Sequence, residues 1–116
     1  MKAIRGATFV KEDSYEEIEK ATLDLMEKIF SRNGLKDDEV VSVIFSVTKD
    51  LKSMNPATIF RKSGHDVPLM CLQEADFTGA AQKVLRVLVI TDRDKTTNVV
   101  NVYDGAQSLK SWRWER

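Results

Sequence analysis

The chain predicts a mixed α/β fold: a five-stranded mixed sheet carrying one long helix and several short helical turns. Three observations predict it. Short runs rich in β-branched and aromatic residues recur between turn residues. One long segment carries the apolar period of an amphipathic helix. The 116 residues suffice for one domain with one modest core.

Taken in order, Ala3-Ile-Arg-Gly-Ala-Thr-Phe-Val10 forms a first strand, interrupted by Gly6. Ser14-Tyr-Glu-Glu17 matches a capping box, with Ser14 as N-cap and Glu17 at the third helical position. The helix that follows places Ile18, Ala21, Leu25, Met26, Ile29 and Phe30 on one apolar face, and Asn33-Gly34 stops it. Val40-Val-Ser-Val-Ile-Phe-Ser-Val47 is apolar on both alternating faces, the pattern of a central strand. Residues 48–55 are polar and loop-like. Pro56 opens a short helix to Lys62, because proline tolerates the first helical position. Residues 67–72 form a third strand, followed by the turn Gln73-Glu-Ala-Asp-Phe-Thr-Gly79 and a helical turn at Ala80 and Ala81. Residues 83–91 form the fourth strand. Val99-Val-Asn-Val-Tyr103 forms the fifth. Residues 110–116, with Trp112 and Trp114 flanking Arg113, have no clear period and read as a tail able to close over a cleft.

One long helix covers only part of a five-stranded sheet. Self-association in a closed cyclic oligomer is the simplest way to cover the rest.

Composition removes several function classes. Lys plus Arg and Asp plus Glu are 18 each, so the net charge is zero and broad attraction to nucleic acid or anionic lipid is unsupported. No apolar run reaches the roughly 18–20 residues that cross a bilayer. The first residues lack the features of a signal peptide, so a cytoplasmic location is expected. A single cysteine, Cys71, cannot form an internal disulfide. There is no Cys-x-x-Cys and no paired histidine, so no metal site is expected. The glycines are scattered singly, unlike a phosphate-binding loop.

The informative residues are arginines. Arg86 interrupts Lys83-Val-Leu-Arg-Val-Leu-Val-Ile-Thr91, and Arg5 holds a similar place in the first strand. A guanidinium does not lose its proton, so a buried strand tolerates one only beside an anion or an open cavity. Two such forks on rigid strands predict a small pocket for a molecule with carboxylates. The plainer readings are a structural ion pair for Arg86, a solvated edge-strand side chain for Arg5, and a solvated helix face for Arg61. Glu74 follows an apolar strand within a turn, and Tyr103 ends a strand with its hydroxyl at the rim. Cys71 reads as a small hydrophobe, because the only histidine, His65, offers no relay to activate a thiol. Cations, a carboxylate, a thiol and a phenol without a nucleophile–base pair stabilise charge better than they transfer protons.

The ordered motifs resemble the AroH-type chorismate mutases. They are Ile4-Arg-Gly-Ala-Thr8, Val47-Thr-Lys-Asp-Leu51, Pro56-Ala57 followed by Arg61, Cys71-Leu-Gln-Glu-Ala-Asp-Phe-Thr-Gly79, Arg86-Val87 and Val102-Tyr103. The resemblance covers residues 3 to 110. It implies a homotrimer whose subunits build a pseudo-α/β-barrel, with active sites in clefts between adjacent subunits. It implies conversion of chorismate to prephenate by a Claisen rearrangement in aromatic amino-acid biosynthesis, with no cofactor. Arg86 would reach the breaking ether oxygen and a carboxylate, Arg5 would clasp a carboxylate, and Tyr103 would hydrogen-bond the side-chain carboxylate. Glu74 and the Cys71 segment would bind the ring hydroxyl, and Arg61 would draw in the dianion at the mouth. Asn55, Ala57, Thr58, Met70 and Leu109 would line the pocket.

Some positions depart from the family pattern. Asn55 stands where an aromatic ring is common, Thr58 replaces a frequent lysine, and Met70 precedes Cys71 where a small hydroxyl residue is common. The region after Tyr103 is one residue shorter, and its Trp-rich end lacks the usual Arg-Pro-Asp-Leu. Two other readings stand beside this one: an imine deaminase of the reactive-intermediate type, and a non-catalytic trimer that binds a carboxylated metabolite.

Overall fold

Ser14 caps the long helix as its spacing predicts. Its Oγ accepts the Glu17 N–H at 3.1 Å, and helix α1 runs Tyr15–Asn33. The computed structural model describes residues 1–110; the Trp-rich end of the sequence, residues 111–116, lies outside them, and with it the predicted lid. Around α1 stand strand β1 (Lys2–Phe9), strand β2 (Val40–Val47), helix α2 (Pro56–Lys62), strand β3 (Leu69–Gln73) and strand β4 (Val84–Thr91). Short 3-10 turns at Asp37–Glu39 and Gln107–Leu109 were not foreseen in the sequence.

The sheet order is β1-β4-β2-β3. β4 runs antiparallel to both β1 and β2, while β3 joins β2 in parallel, so the sheet is mixed. The Val- and Leu-rich β4 takes a central position, as its continuous apolar pattern requires. Alternation gives the sheet two unlike faces. One carries Ile4, Val43, Phe45, Leu85, Val87 and Val89, all buried with Ile18, Leu25 and Ile29 of α1 and Phe60 of α2. Each such side chain contributes on the order of 1.5–3 kcal/mol of transfer free energy. The other face carries Arg5, Ile44, Ser46, Arg86 and Leu88, which cross-strand pairing sets side by side. It remains open over much of its area: Met70 and Leu72 on edge strand β3 keep 55% and 50% of their surface exposed.

The sheet has four strands, not five. Residues 99–103 lie along the free edge of β1 but make only an isolated parallel bridge, Gly6 with Val102. Side-chain amides take the places of ladder partners there. Asn33 bonds both the N–H and the carbonyl of Val100, and Asn101 Oδ1 accepts the Arg5 N–H at 2.8 Å. The predicted third strand also begins later, at Leu69, because Pro68 cannot supply an N–H to a ladder. No helical turn forms at Ala80 and Ala81.

Gly6 lets α1 and this segment approach β1. A Cβ there would sit 2.9 Å from Ile29 Cδ1, 3.1 Å from Leu25 Cδ1 and 3.2 Å from the Val102 carbonyl oxygen. Arg93 fastens the far end of α1. Its guanidinium donates to the Asn33 carbonyl at 2.8 Å and the Gly34 carbonyl at 3.0 Å, satisfying orphan acceptors of the last turn. The same fork grips Glu39 at 2.9 and 3.1 Å.

Candidate active site

Four of the sequence candidates meet on the open face of the sheet. Arg5 on β1 and Arg86 on β4 project from neighbouring strands, because Arg5 pairs with Leu88 and Ala7 with Arg86. With Tyr103, Ser46, Ile44 and Leu88 they wall a depression of about 210 Å³. Arg86 also borders a second depression of about 150 Å³, whose opposite wall is Glu74 and the 75–81 turn. Glu74 enters that wall because the last residue of β2 holds its backbone: Glu74 N–H donates to the Val47 carbonyl at 2.8 Å.

Arg86 is the hinge between the two depressions. Its Nε stands 2.8 Å from Glu74 Oε1, and its Nη1 donates to the Leu109 carbonyl at 3.2 Å. The Nε atom is buried, yet its N–H is not aligned on an acceptor among the described residues, so the contact with Glu74 is ionic rather than a directed hydrogen bond. Both side chains keep roughly a quarter to a third of their surface open, at 29% and 27%. The pair therefore forms a cavity wall rather than an ion pair sealed in the core. Arg5 is exposed at the sheet edge, as its plainer reading had it, but it is also a wall of the first depression.

Tyr103 is buried with Ala7, Val84, Ala106 and Leu109, a small apolar cluster on this otherwise open face. The 3-10 turn Gln107–Leu109 brings the Leu109 carbonyl to Arg86, so Leu109 acts through its backbone as well as its side chain.

The remaining candidates do not join this group within one chain. Asn55 and Cys71 line another depression, of about 320 Å³, which shares only Thr48 and Lys49 with the Glu74 pocket. Asn55 has a local duty there, because its Oδ1 accepts the Ala57 N–H at 2.8 Å and caps α2. Ala57 and Thr58 follow it in the first turn, half-buried. Met70 lies on the open face beside Ile44, at the opposite sheet edge from Arg5. Arg61, near the end of α2, is exposed and donates to the Val67 carbonyl at 3.3 Å, with Asp66 3.6 Å away. Burial pushes the Cys71 thiol up, which leaves it protonated and poorly nucleophilic at neutral pH. His65 does not serve it: the ring pairs with Asp37 at 2.7 Å and stacks on Phe60 at 4.1 Å.

The largest depression described, about 750 Å³, lies elsewhere. It opens between α1 and the end of α2, walled by Met26, Phe30, Leu35, Phe60 and His65, and contains none of the sequence candidates. Its lining is mostly apolar, with Glu27 and Lys36 of opposite charge among it and no arginine. Chemistry rather than volume marks the Arg86 region as the candidate site. Among the described residues, no group of three His, Cys, Asp or Glu could hold a metal ion, and no helix is long and apolar enough to cross a membrane.

Sequence reading missed Ser46 and Asn101. Ser46 pairs directly with Arg86 across the β2–β4 ladder and presents a hydroxyl on its face. The signal was present as two serines inside an apolar run, Ser42 and Ser46, whose spacing of four sets them on one face of a strand. Asn101 interrupted a predicted strand, where a carboxamide that replaces a ladder bond is one explanation.

The family model for chorismate mutase type I matches residues 1–111. A chorismate mutase AroH of Bacillus subtilis (strain 168) is 42% identical over 96 residues, covering 81% of this chain and 76% of the relative. A chorismate mutase AroH of Thermus thermophilus is 41% identical over 96 residues, covering 81% and 79%. Among solved structures, a chorismate mutase from Clostridium thermocellum superposes with a TM-score of 0.87 at 38% identity, covering 93% of this chain and 99% of that one. A family match over nearly the full length, relatives above 40% identity and a shared mixed sheet with two helices agree: this chain belongs to the chorismate mutase type I family.

Proposed function

We infer that the protein is an isomerase, a chorismate mutase that converts chorismate to prephenate. The observation that carries the inference is the convergence of Arg5, Arg86, Glu74 and Tyr103 around adjoining depressions on one sheet face. The reaction is intramolecular: one carbon–oxygen bond breaks as one carbon–carbon bond forms, with no proton to move. Negative charge grows on the ether oxygen as its bond lengthens. A fixed guanidinium aimed there favours the transition state over the substrate.

In this assignment Arg86 meets the ether oxygen and a substrate carboxylate. Its Glu74 contact, ionic and unaligned, holds the side chain while leaving hydrogen-bonding capacity for a ligand. Arg5 clasps a carboxylate and Tyr103 bonds the side-chain carboxylate. Glu74 and the Cys71 segment take the ring hydroxyl, and Glu74 offsets positive charge developing on the ring. Confinement in the compact diaxial conformer adds an orientation effect. Acceleration of about a millionfold requires roughly 8 kcal/mol of barrier reduction, more than one cation supplies.

The protein acts as a homotrimer in this reading. The division of candidates supports it: Arg5, Arg86, Glu74 and Tyr103 line two adjoining depressions, with the Leu109 carbonyl on Arg86, while Asn55 and Cys71 line another, with Ala57 and Thr58 following Asn55 in α2. Clefts between subunits bring one group of each kind together, with Arg61 near the mouth and Met70 on the wall. Packing of the open faces against one another covers Ile44, Leu88 and Met70 and closes the pseudo-barrel. We further assign the protein to the cytoplasm and to aromatic amino-acid biosynthesis, working without metal or cofactor and without nucleic-acid or membrane partners. The family match favours this reading over an imine deaminase or a non-catalytic binder. Purified chain incubated with chorismate in a metal chelator tests it: prephenate should accumulate, and unchanged chorismate would refute the assignment.

A further inference from the structure

Two carboxamides that line neither the Arg86 nor the Glu74 depression nevertheless set the backbone around them. Asn101 Oδ1 accepts the Arg5 N–H at 2.8 Å. Its neighbour Val102 donates to the Arg5 carbonyl at 3.0 Å and accepts the Ala7 N–H at 3.0 Å. Both backbone polar groups of Arg5 on the free side of β1 are thus committed to residues 101–102. One step earlier, Asn33 at the end of α1 brackets Val100: Oδ1 accepts its N–H at 2.8 Å, and Nδ2 donates to its carbonyl at 2.9 Å. A carboxamide offers a donor and an acceptor in one plane, as a peptide group does, so Asn33 serves as a one-residue strand partner. A second bond from Nδ2, to the Ile29 carbonyl at 2.8 Å, fixes the amide in that orientation. Beyond Tyr103, Asp104 receives the Arg32 guanidinium at 2.9 and 2.6 Å.

We propose that Asn101 and Asn33 are positioning residues for the reaction. Asn101 fixes the Arg5 backbone against the segment that carries Tyr103, and Asn33 sets where that segment stands along β1. The inference rests on the functional reading above. Without these bonds, the Gly6–Val102 bridge is the one backbone pairing left between residues 99–103 and β1 among the described residues, and burial of Val102 and Tyr103 alone sets the segment's position along Arg5 less tightly.

The two amides use different chemistry, which makes the proposal testable. Among the described residues Asn101 uses only its acceptor, so an aspartate replaces it. Asn33 uses donor and acceptor together, so an aspartate does not. The experiment measures kcat and KM for chorismate in the full chain carrying Asn101→Ala, Asn101→Asp, Asn33→Ala or Asn33→Asp, with folding followed by circular dichroism. Arg5 and Tyr103 hold carboxylates in substrate and transition state alike, so Asn101→Ala should raise KM roughly tenfold and change kcat less than about threefold. Asn101→Asp should restore KM, whereas Asn33→Asp should behave as Asn33→Ala. In a Tyr103→Phe background, Asn101→Ala should cost much less than in the wild type, a coupling that a merely structural role lacks. Should the Asn33 variants fail to fold, the Asn101 series decides alone. Wild-type KM in Asn101→Ala, or additive losses with Tyr103→Phe, would overturn the positioning role while leaving the functional reading intact. A wild-type chain that leaves chorismate untouched would overturn both.

Discussion

Arg86, at the partition between two depressions, stands 2.8 Å from Glu74 on the wall of one of them, and both side chains are partly open to a ligand. This relationship makes the carboxylate a partner of the cation before substrate arrives and a competitor for it afterwards. Glu74→Ala frees the guanidinium from its lateral restraint and removes the charge assigned to the ring fragment. We expect kcat to fall on the order of 10²-fold, comparable to the loss of one preorganised electrostatic group. Steady-state kinetics check this; an unaltered kcat would exclude Glu74 from the chemistry.

Gly6 is a packing requirement. Gly6→Ala places a methyl against Ile29, Leu25 and the Val102 carbonyl. The side chains can yield by a few tenths of an ångström, but the backbone oxygen moves only with its segment. Overpacking of this kind costs about 1–3 kcal/mol, to be read from the shift of a urea midpoint. Activity should fall beyond what lost stability explains, because displacement of Val102 carries Tyr103 with it.

Lys83 adopts φ 54°, the left-handed region, and is held there by its N–H to Asp50 Oδ2 at 3.0 Å and its carbonyl from Val10 N–H at 2.7 Å. An L-residue is disfavoured in that region by roughly 1–2 kcal/mol, partly returned as entropy when glycine replaces it. Lys83→Gly should therefore stabilise the fold by about 0.5–1 kcal/mol in denaturant unfolding. A destabilisation would mean that the lysine side chain contributes packing or charge that the backbone geometry does not reveal.

Acid stability follows from Glu39. Hydrogen bonds from the Arg93 guanidinium, then from the Lys36 N–H, hold its carboxyl below the usual carboxylate range. A depressed folded value means that the contribution is complete above the unfolded value, about 4.3, and is lost as pH falls through the folded one. Glu39→Gln should lower the Tm at pH 7, and its deficit should shrink as the pH falls toward 3. A deficit independent of pH would show that the contact works through packing alone.

The elements were legible where local chemistry decides them. Ser14, Glu17 and Gly34 mark α1, Pro56 marks the start of α2, and the β4 run declares a central strand. The fifth strand was misread because Val99-Val-Asn-Val-Tyr103 has the composition of a strand, while carboxamides replace ladder partners there: Asn33 brackets Val100, and the segment's own Asn101 accepts the Arg5 N–H. Arg86 and Arg5 were legible because a guanidinium conflicts with an apolar strand. That their faces coincide depends on register, which no single strand encodes. The partnership with Glu74 was not legible as geometry. It arises from a turn whose start is anchored by the Glu74 N–H to the Val47 carbonyl, a contact distant in sequence.

Turnover of chorismate by Arg86→Ala beside the wild type, with Arg86→Lys as a third sample, tests the central claim most directly. The account predicts that the alanine variant folds, as judged by an unchanged circular dichroism spectrum, and loses at least roughly 10²–10³-fold in kcat. The lysine variant should recover only part of this, because a point charge does not reproduce the planar fork. Wild-type kcat in a folded Arg86→Ala protein would contradict the proposal that this guanidinium stabilises the oxygen of the breaking bond.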